Sequence, residues 1–223
     1  MSSNLRSAIL EVSKSNDYNK LELLISQGAN VNFNEADMVF PLKDTPLTVA
    51  ACHGTLPICK ILVEHGADVT IANELGMRPY HCALESGDEE MAIYFKSLEP
   101  AAFHIQQNKL IELKNFDLSE SLLNFLQAGT KRFDLGNNHE FEFIEFFSLT
   151  DTILMVIEGE EYLRISKRTG DQGHIMFVWN PKGRCISYYD YEHGEIGNIA
   201  AFDDFIDNLA GYMTRVLDGE FSV

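Results

Sequence analysis

The tightest cluster of acidic and histidine side chains in this 223-residue sequence consists of Asp190, Glu192 and His193. Groups of this kind can hold a metal ion or act as a general acid and base. On a strand, neighbouring residues point to opposite faces and the cluster would disperse, whereas a turn would gather it. A metal-dependent hydrolase that uses Asp190 and His193 is therefore the weakest of the functions that we consider.

The remaining groups that could do chemistry are scattered along the chain. Glu158, Glu160 and Glu161 precede a strand pattern, and we interpret them as a solvated turn rather than a cation site. The four cysteines show no CxxC spacing, and the histidines are dispersed, so no zinc site is expected. Glycine-rich phosphate loops and the HExxH and GxSxG motifs are absent. We predict a protein that is not an enzyme and needs no cofactor or metal ion.

The composition predicts a folded protein with a strongly acidic surface. Apolar residues make up 45% of the chain and aromatic residues 11%, which is enough for a core. The net charge is −17, and acidic residues exceed basic ones both before and after residue 104. This field repels nucleic acid and anionic membranes and speeds the encounter with a basic partner, although solubility alone would also explain it.

The sequence also predicts a location in the cytoplasm. It has no apolar run of about 18 residues, so we expect no membrane span. The segment from Met1 to Arg6 leads into a mixed polar stretch without the apolar core of a secretory signal. Because the cysteines lack a CxxC pattern, a reduced compartment is the simplest expectation. We further expect a monomer.

Two short phrases occur twice in the first half of the chain. Residues 28–32, Gly-Ala-Asn-Val-Asn, return as Gly-Ala-Asp-Val-Thr at residues 66–70. Residues 45–50, Thr-Pro-Leu-Thr-Val-Ala, return as Arg-Pro-Tyr-His-Cys-Ala 33 positions later. Apolar residues at spacings of three and four precede both glycines, which predicts helices that end at a left-handed glycine cap. Thr45 and the proline after it predict a helix start.

These phrases and their 33-residue period resemble the ankyrin repeat over about residues 4–100. Three repeats are visible: a first one without the Thr-Pro-Leu-His phrase, a second from Thr45 to Gly66, and a third whose last helix runs from Glu89 to Leu98. The resemblance implies a stacked all-α solenoid that binds other proteins. It also implies that His81 bonds to the backbone within its own repeat.

The first repeat carries an insertion. The two Gly-Ala phrases lie 38 positions apart, whereas the two helix-start phrases lie 33 positions apart. The extra residues must therefore fall within 31–45. They enlarge the hairpin loop, or finger, at residues 33–41. Its apolar residues Met38, Val39 and Phe40 would form a binding patch if exposed, or would fold back onto the neighbouring helices. Both alternatives are open at this point.

The ankyrin resemblance also implies where a partner binds. In this family the partner contacts the finger tips and the inner helices of the concave face. By position, these correspond to the following residues of the second and third repeats: Asp44, Cys52, His53, Ala72, Glu74, Leu75, Met77, Glu85 and Ser86. The expected apolar anchors of the interface are Met38, Phe40, Leu75 and Met77.

Beyond about residue 104 the 33-residue period stops and strand patterns begin. Apolar runs and alternation predict strands at 141–146, 153–157, 162–165, 174–179 and 184–189. A helix is predicted near 119–126, and another closes the chain with these residues on one face: Phe202, Phe205, Ile206, Leu209, Met213 and Val216. These elements predict an α+β domain with a mostly antiparallel sheet flanked by helices.

The order of these elements resembles the SMI1/KNR4, or SUKH, superfamily. The resemblance rests on an apolar strand from Met155, the Tyr-Tyr-Asp-Tyr-Glu-His phrase at 188–193, and a final helix that begins with Ala-Ala-Phe and closes on Leu209. Many bacterial members look like immunity proteins, which bind and neutralise a cognate toxin, often a nuclease. The implied partner is therefore a protein with a basic surface.

We predict an α+β multidomain protein with an ankyrin solenoid over residues 1–103 and a SUKH-like domain over 104–223. Its predicted function is toxin immunity by direct binding, and the alternative is an intracellular scaffold or regulatory adaptor like the fungal members of the superfamily. Candidate contacts on the second domain, unless the tyrosines belong to its core, are Tyr188, Tyr189, Tyr191 and Glu192.

Overall fold

The computed structural model describes residues 3–15, 17–36, 41–136 and 139–221, and the chain divides into two compact units. The first unit is Met1–Pro100 and the second is Ala101–Val223, whereas the sequence places the change after residue 103. Within the described ranges the first unit is helical, and the second contains helices and two antiparallel sheets. No helix in these ranges has the length and hydropathy needed to cross a membrane.

Within its described residues, the first unit contains three helix pairs. The helices are α1 (Ser3–Ser13) and α2 (Tyr18–Ser26), α3 (Pro46–His53) and α4 (Leu56–Glu64), and α5 (Pro79–Ser86) and α6 (Glu89–Leu98). The two helices of each pair pack together, and α3 lies between α1 and α5. The first helices of the three pairs therefore form one row, as the repeat pattern predicts.

Local capping contacts explain where these helices begin and end. Gly28 and Gly66 both have φ 87°, the left-handed conformation that glycine adopts without strain. In each case the N–H groups of the glycine and of the next alanine donate to carbonyls of the last helical turn. Thr45 caps α3, because its Oγ1 accepts the N–H of Thr48 at 3.1 Å. These three cap positions behave as the sequence predicts.

The third repeat starts differently, because Arg78 stands where the second repeat has the capping threonine. His81 Nδ1 accepts the backbone N–H of Arg78 at 3.2 Å, which confirms that this histidine bonds within its own repeat. The Arg78 guanidinium binds the carboxylate of Glu99 through Nε at 2.7 Å and Nη2 at 3.4 Å. The Glu99 side chain is fully buried, so this ion pair joins the start of α5 to the end of α6 inside the unit.

Within the described residues, the second unit has the following elements. Helices α7 (Gln106–Glu112) and α8 (Glu120–Gln127) come first, with short 3-10 turns at Ala101–His104, Leu113–Phe116 and Leu149–Asp151. The strands are β1 (Lys131–Asp134), β2 (Phe143–Phe146), β3 (Ile153–Ile157), β4 (Glu160–Arg164), β5 (Ser166–Arg168), β6 (Ile175–Asn180), β7 (Cys185–Asp190) and β8 (Glu195–Ala200). Helices α9 (Phe202–Asp207) and α10 (Leu209–Leu217) follow.

The strands form two antiparallel sheets around a common core. β1, β2 and β5 make the smaller sheet, and the larger one has the order β3-β4-β6-β7-β8. On one face of the larger sheet, Leu163, Phe177 and Trp179 are buried in a core that also contains Phe205 of α9. The indole Nε1–H of Trp179 donates to the carbonyl of Phe116 at 2.8 Å, which satisfies the buried donor and ties the sheet to the helical layer.

Two details of the second unit differ from the sequence prediction. The prediction misses β1, β5 and β8, because these strands are short or rich in polar residues and glycine. The prediction of a single closing helix is wrong, because the backbone leaves helical geometry at Asn208, with φ −130° and ψ 44°. The predicted strand at 153–157 and the early helix, capped by Ser119, are present.

Candidate functional site

Three of the residues predicted to bind a partner lie at the ends of the packed helices α3 and α5. Asp44 precedes α3, His53 is its last residue, and Glu85 is the residue before the end of α5. The charge of His53 acts on the carboxyl group of Asp44, and Asp44 and Glu85 both act on the thiol of Cys82. These three groups are therefore within electrostatic range of one helix pair. With Glu74 of the neighbouring finger, they are called the acidic site below.

Asp44 is held in a partly desolvated environment. Its Oδ1 accepts a hydrogen bond from Asn73 Nδ2 at 2.8 Å. Burial raises the pKa of Asp44 above its ordinary value, and the bond from Asn73 and the charge of His53 only partly oppose this effect. The pKa of Cys82 is raised too, first by a hydrogen bond with Cys52 and by burial, and further by Glu85 and Asp44. A cation placed here would be screened less than on an open surface.

Glu74 lies on the second finger and connects it to the first. Its backbone N–H donates to the carbonyl of Leu42 at 2.8 Å, and its carboxylate pairs with Lys43 Nζ at 2.6 Å. Both side chains of the ion pair are nearly half exposed, at 44% and 48%, so the pair adds little to stability. Glu74 therefore remains accessible to a partner.

The first finger is also attached to the second at its beginning. Asn32 donates from Nδ2 to the carbonyl of Gly66 at 2.9 Å, and its Oδ1 accepts the N–H of Asp68 at 2.7 Å. Both flanks of the enlarged finger are therefore fixed. Its tip carries the apolar residues that the sequence predicts to bind, which lie outside the described residues and stay a prediction: Met38, Val39 and Phe40.

Leu75 and Met77 correct the expectation that they are exposed anchors. Their side chains are buried, with 7% and 4% exposure. The cause is Asn73, whose Oδ1 accepts the N–H groups of both residues at 3.0 Å and turns the loop inward. Asn73 is absent from the residues predicted from sequence, although an asparagine three positions before Gly76 is a turn signal.

The predicted contacts on the second unit are only partly accessible. Tyr188 is buried in the core, with 3% exposure, which corrects its assignment as a contact. Tyr191 is half-buried, and Glu192 is exposed. Both follow Asp190, at the turn between β7 and β8. Tyr191 and Glu192 therefore stay predicted contacts.

The turn after β7 gathers Asp190 and His193, as the sequence leaves open. His193 Nδ1 lies 2.8 Å from Asp190 Oδ2, and Oδ1 accepts the backbone N–H groups of Glu192 and His193. His174, at the start of β6, places Nε2 3.8 Å from the same carboxylate. His174 is missing from the sequence prediction, because only the pairing of β6 with β7 brings it here.

The carboxylate of Asp190 and the two histidines stabilise each other's charged forms. Burial alone would raise the pKa of Asp190, but hydrogen bonds from His193 and the charges of both histidines lower it. The bond to Asp190 raises the pKa of His193. In the ranges that the structure describes, no set of three or more His, Cys, Asp or Glu residues is arranged to hold a metal ion. The cluster thus stabilises the turn.

Comparison with known proteins identifies the first unit. Residues 9–106 match the family model for ankyrin repeats in three copies. The chain is 30% identical over 116 residues to ankyrin repeat protein OPG189 of vaccinia virus (strain Copenhagen), which covers 51% of this chain and 20% of that protein. It is also 30% identical over 84 residues to the Notch-regulated ankyrin repeat-containing protein A of Danio rerio, which covers 38% of this chain and 74% of that protein.

The chain belongs to the ankyrin-repeat family. It spans about a fifth of the length of the poxvirus relative, so the activity of that whole protein does not transfer to it. Ankyrin repeats are protein-interaction modules, and this gives the chain a protein-binding role. These relatives are viral and vertebrate proteins. The likeness of the second unit to the SUKH superfamily stays a prediction from its sequence.

Proposed function

We propose that this protein binds and neutralises a basic toxin domain in the cytoplasm, as a monomeric immunity protein without enzymatic activity. The observation that carries the proposal is the acidic site, where Asp44 and Glu85 lie at the ends of the packed helices α3 and α5, both raise the pKa of the buried Cys82 thiol, and Glu74 lies on the adjoining finger. The net charge of −17 supports a basic partner. The resemblance of the second unit to SUKH proteins suggests that this partner is a toxin, such as a nuclease.

Binding begins with long-range attraction in this proposal. The acidic surface speeds the encounter with a basic protein, and salt weakens the attraction beyond a Debye length of about 8 Å. An acidic inhibitor that covers a basic nuclease surface also blocks the path of the phosphate backbone. Affinity then depends on a few buried contacts, for which the tip residues Met38, Val39 and Phe40 remain candidates.

Asp44 is the best placed acceptor for a lysine or arginine of the partner. Its second oxygen is not needed for the bond to Asn73, and the partly buried position strengthens a charge-assisted hydrogen bond. Burial raises the pKa of Asp44, and a bound cation would lower it again because it favours the ionised carboxylate. The affinity should therefore decrease when the pH falls towards the pKa of Asp44.

A second candidate function is an intracellular scaffold or regulatory adaptor of the SMI1/KNR4 type. The observation that favours it is the kind of relative found, because ankyrin-repeat proteins of a poxvirus and a fish match the first unit. Such a protein would use the same acidic site for one or more host proteins. Tyr191 and Glu192 on the second unit would then provide a further contact.

The test of toxin immunity is co-expression with the toxin encoded beside the gene of this protein. We expect cells to survive only when the chain is present, and the toxin to co-purify with it. Continued killing by the toxin would contradict the proposal. Stable capture of several host proteins, without rescue, would instead favour the scaffold.

Paired variants connect the rescue to the acidic site. The double variant Asp44→Asn and Glu85→Gln should abolish rescue, because it removes two negative charges at the site. The matched control is Glu22→Gln and Glu64→Gln, which removes the same charge from exposed positions of α2 and α4. The control should rescue like the parent chain. Equal behaviour of the two double variants would exclude the acidic site from the interface.

A further inference from the structure

β3 is an outer strand of the larger sheet and is paired along one side. Its five residues, Ile153–Ile157, are in register with β4, which separates β3 from β6. Within the described residues, no strand pairs with the other side of β3. That side presents backbone N–H and C=O groups to which an additional strand can bind.

The turn after β3 shows which residues present these groups. Residues 158–159 form a two-residue connection with φ values of 52° and 83°, as in a type I′ hairpin turn. Ile157 and Glu160 flank this turn, so they exchange hydrogen bonds with each other. Because hydrogen bonding alternates along an antiparallel pair, Leu154 and Val156 direct their backbone groups away from β4.

A buried lysine marks where the open side begins. Thr152 precedes β3. Because hydrogen bonding alternates along the strand, its backbone groups point to the same side as those of Leu154. Its carbonyl accepts a hydrogen bond from Lys109 Nζ at 2.8 Å. Lys109, which lies elsewhere in the unit, therefore already occupies the first backbone acceptor on the open side, the carbonyl of Thr152. The stretch open to a partner starts at Leu154.

The composition of β3 is unusual for an outer strand. Its sequence, Ile-Leu-Met-Val-Ile, contains no charge, glycine or proline. β1 and β8 are outer strands as well, but they carry residues that discourage pairing, namely Lys131, Arg132 and Asp134 in one and Glu195 and Asn198 in the other. An uncharged outer strand readily pairs with another extended chain.

A groove lies on the face of the sheet that carries the side chain of Val156. The side chain of Val156 is 65% exposed, which is high for an apolar residue on a strand. It lines a cavity of about 630 Å³ together with Asn115, Glu161 and the Pro181–Lys182 turn. An apolar side chain from an added strand would lie next to the exposed side chain of Val156 on the same face of the sheet.

The charges around β3 select the kind of strand that can bind. Glu158, Glu160 and Glu161 lie at the turn end, and Lys182 pairs with only one of them, Glu160. A second copy of this chain carries the same net charge of −17 and would be repelled as a whole. A segment with lysine or arginine at its ends complements these groups.

We infer that the open side of β3 binds an extended segment of a basic protein partner as an additional strand. Leu154 and Val156 supply the backbone hydrogen bonds, the exposed side chain of Val156 contacts an apolar side chain of the segment, and the glutamates of the turn attract the basic end. This inference rests on the proposed function in one respect, that the partner is a basic protein. It assigns the second unit its own binding surface, separate from the acidic site.

The experiment uses the full chain and two synthetic peptides. The probe is Lys-Thr-Val-Thr-Val-Thr-Lys with blocked ends, and its charge-reversed counterpart has glutamate at both ends. We expect the basic peptide to slow amide hydrogen exchange at Leu154 and Val156, and the acidic peptide to have no effect. Slowed exchange elsewhere, equal binding of both peptides, or no binding of the basic peptide would overturn the inference.

Val156→Pro is the variant that tests the backbone contact. Proline removes an N–H that β4 does not use, so circular dichroism and the unfolding midpoint should resemble those of the parent. Binding of the basic peptide should weaken at least about tenfold. The control Val156→Thr keeps the N–H and the branched side chain and should bind like the parent.

Unchanged binding by Val156→Pro would overturn the inference. If Val156→Pro does not fold, the exchange pattern and the charge preference of the parent chain still decide the question. Concentration-dependent dimerisation of the parent chain that is lost in Val156→Pro would also overturn the inference, because the strand added to β3 would then come from a second copy of the chain. These assays contain no toxin, so a failed rescue with intact peptide binding would remove the proposed function and leave the strand site.

Discussion

Asp44 in the ankyrin unit and Asp190 in the sheet unit are both largely shielded carboxylates, but their surroundings differ. Asp44 accepts one bond from a neutral amide and its pKa is raised by burial. Asp190 is surrounded by two histidines and two backbone N–H groups, which together lower its pKa. The charge of Asp190 is therefore compensated inside the protein. The charge of Asp44 is compensated far less, which suits a group that meets a cation from a partner.

Breaking the buried ion pair between Arg78 and Glu99 should have the largest effect on the free energy of unfolding. Arg78→Ala leaves the buried carboxylate of Glu99 without its guanidinium, and the free energy of unfolding should fall by about 3–5 kcal/mol. Urea unfolding of the parent and the variant measures this loss. The double variant Arg78→Ala and Glu99→Leu should recover most of it, because no buried charge is then stranded. A loss below about 1 kcal/mol in the single variant would show that the pair is not important for stability.

Removing the amide that supports Asp44 should have the next largest effect. Asn73→Ala eliminates hydrogen bonds to the backbone of Leu75 and Met77 and to Asp44, and should cost about 2–3 kcal/mol. Faster amide exchange at Leu75 and Met77 would show that the loop has opened. Ser97→Ala, at an exposed position of α6, is a control that should leave both residues protected. Unchanged exchange in Asn73→Ala would contradict the role assigned to Asn73.

The Asp190 cluster should contribute a smaller stabilisation that depends on pH. The pKa of Asp190 is lowered, so its contribution is complete above the ordinary value of 3.8 and is lost as the pH falls through the folded value. The pKa of His193 is raised, so its contribution is complete below 6.5 and is lost as the pH rises through the folded value. The stability difference between the parent and Asp190→Asn should be greatest between these two values, as measured by urea unfolding at several pH values.

This pH prediction concerns the whole cluster, because His174 and Glu192 also surround Asp190, and Glu195 faces His193. His193→Gln should flatten the decline of stability on the alkaline side and weaken the decline on the acid side only in part, because His174 and the backbone N–H of residue 193 still lower the pKa of Asp190. A stability difference that does not change between pH 4 and pH 9 would contradict the idea that Asp190 is compensated by histidine charge.

Asp44→Asn should have the smallest effect on stability. Since burial raises the pKa of Asp44, the ionised carboxylate costs free energy in the folded state, and a neutral amide should leave the unfolding midpoint at pH 7 unchanged or slightly higher. The comparison with Asp190→Asn, which lowers it in its pH window, separates the two kinds of aspartate. A clear loss of stability in Asp44→Asn would mean that Asp44 is structural.

The helix pairs of the ankyrin unit follow from the sequence because their caps are local. Gly28, Gly66 and Thr45 each cap a helix through contacts within a few residues of their own position, so the local sequence is enough to predict these caps. The burial of Leu75 and Met77 depends on a side-chain bond from Asn73 to the backbone, which hydrophobic patterns do not encode. Residue types therefore predict where residues lie in the ankyrin unit better than they predict whether the side chains of those residues are exposed.

In the sheet unit, prediction fails where pairing partners are distant in sequence. β3 is predictable from its apolar residues, whereas β8 contains glycine and polar residues and is held in place by β7. His174 reaches Asp190 only through the register of β6 and β7. The open side of β3 likewise depends on the order of strands in the sheet, which the sequence does not state.

The affinity of a purified basic partner for paired variants shows whether the acidic site is the interface. Isothermal titration calorimetry would compare the parent, the variant Asp44→Asn and Glu85→Gln, and the control Glu22→Gln and Glu64→Gln. We expect the first variant to weaken binding about 100-fold, or about 2.7 kcal/mol, and the control to stay within about twofold of the parent. Equal losses in both double variants would contradict the claim that the acidic site on the ankyrin unit binds the partner.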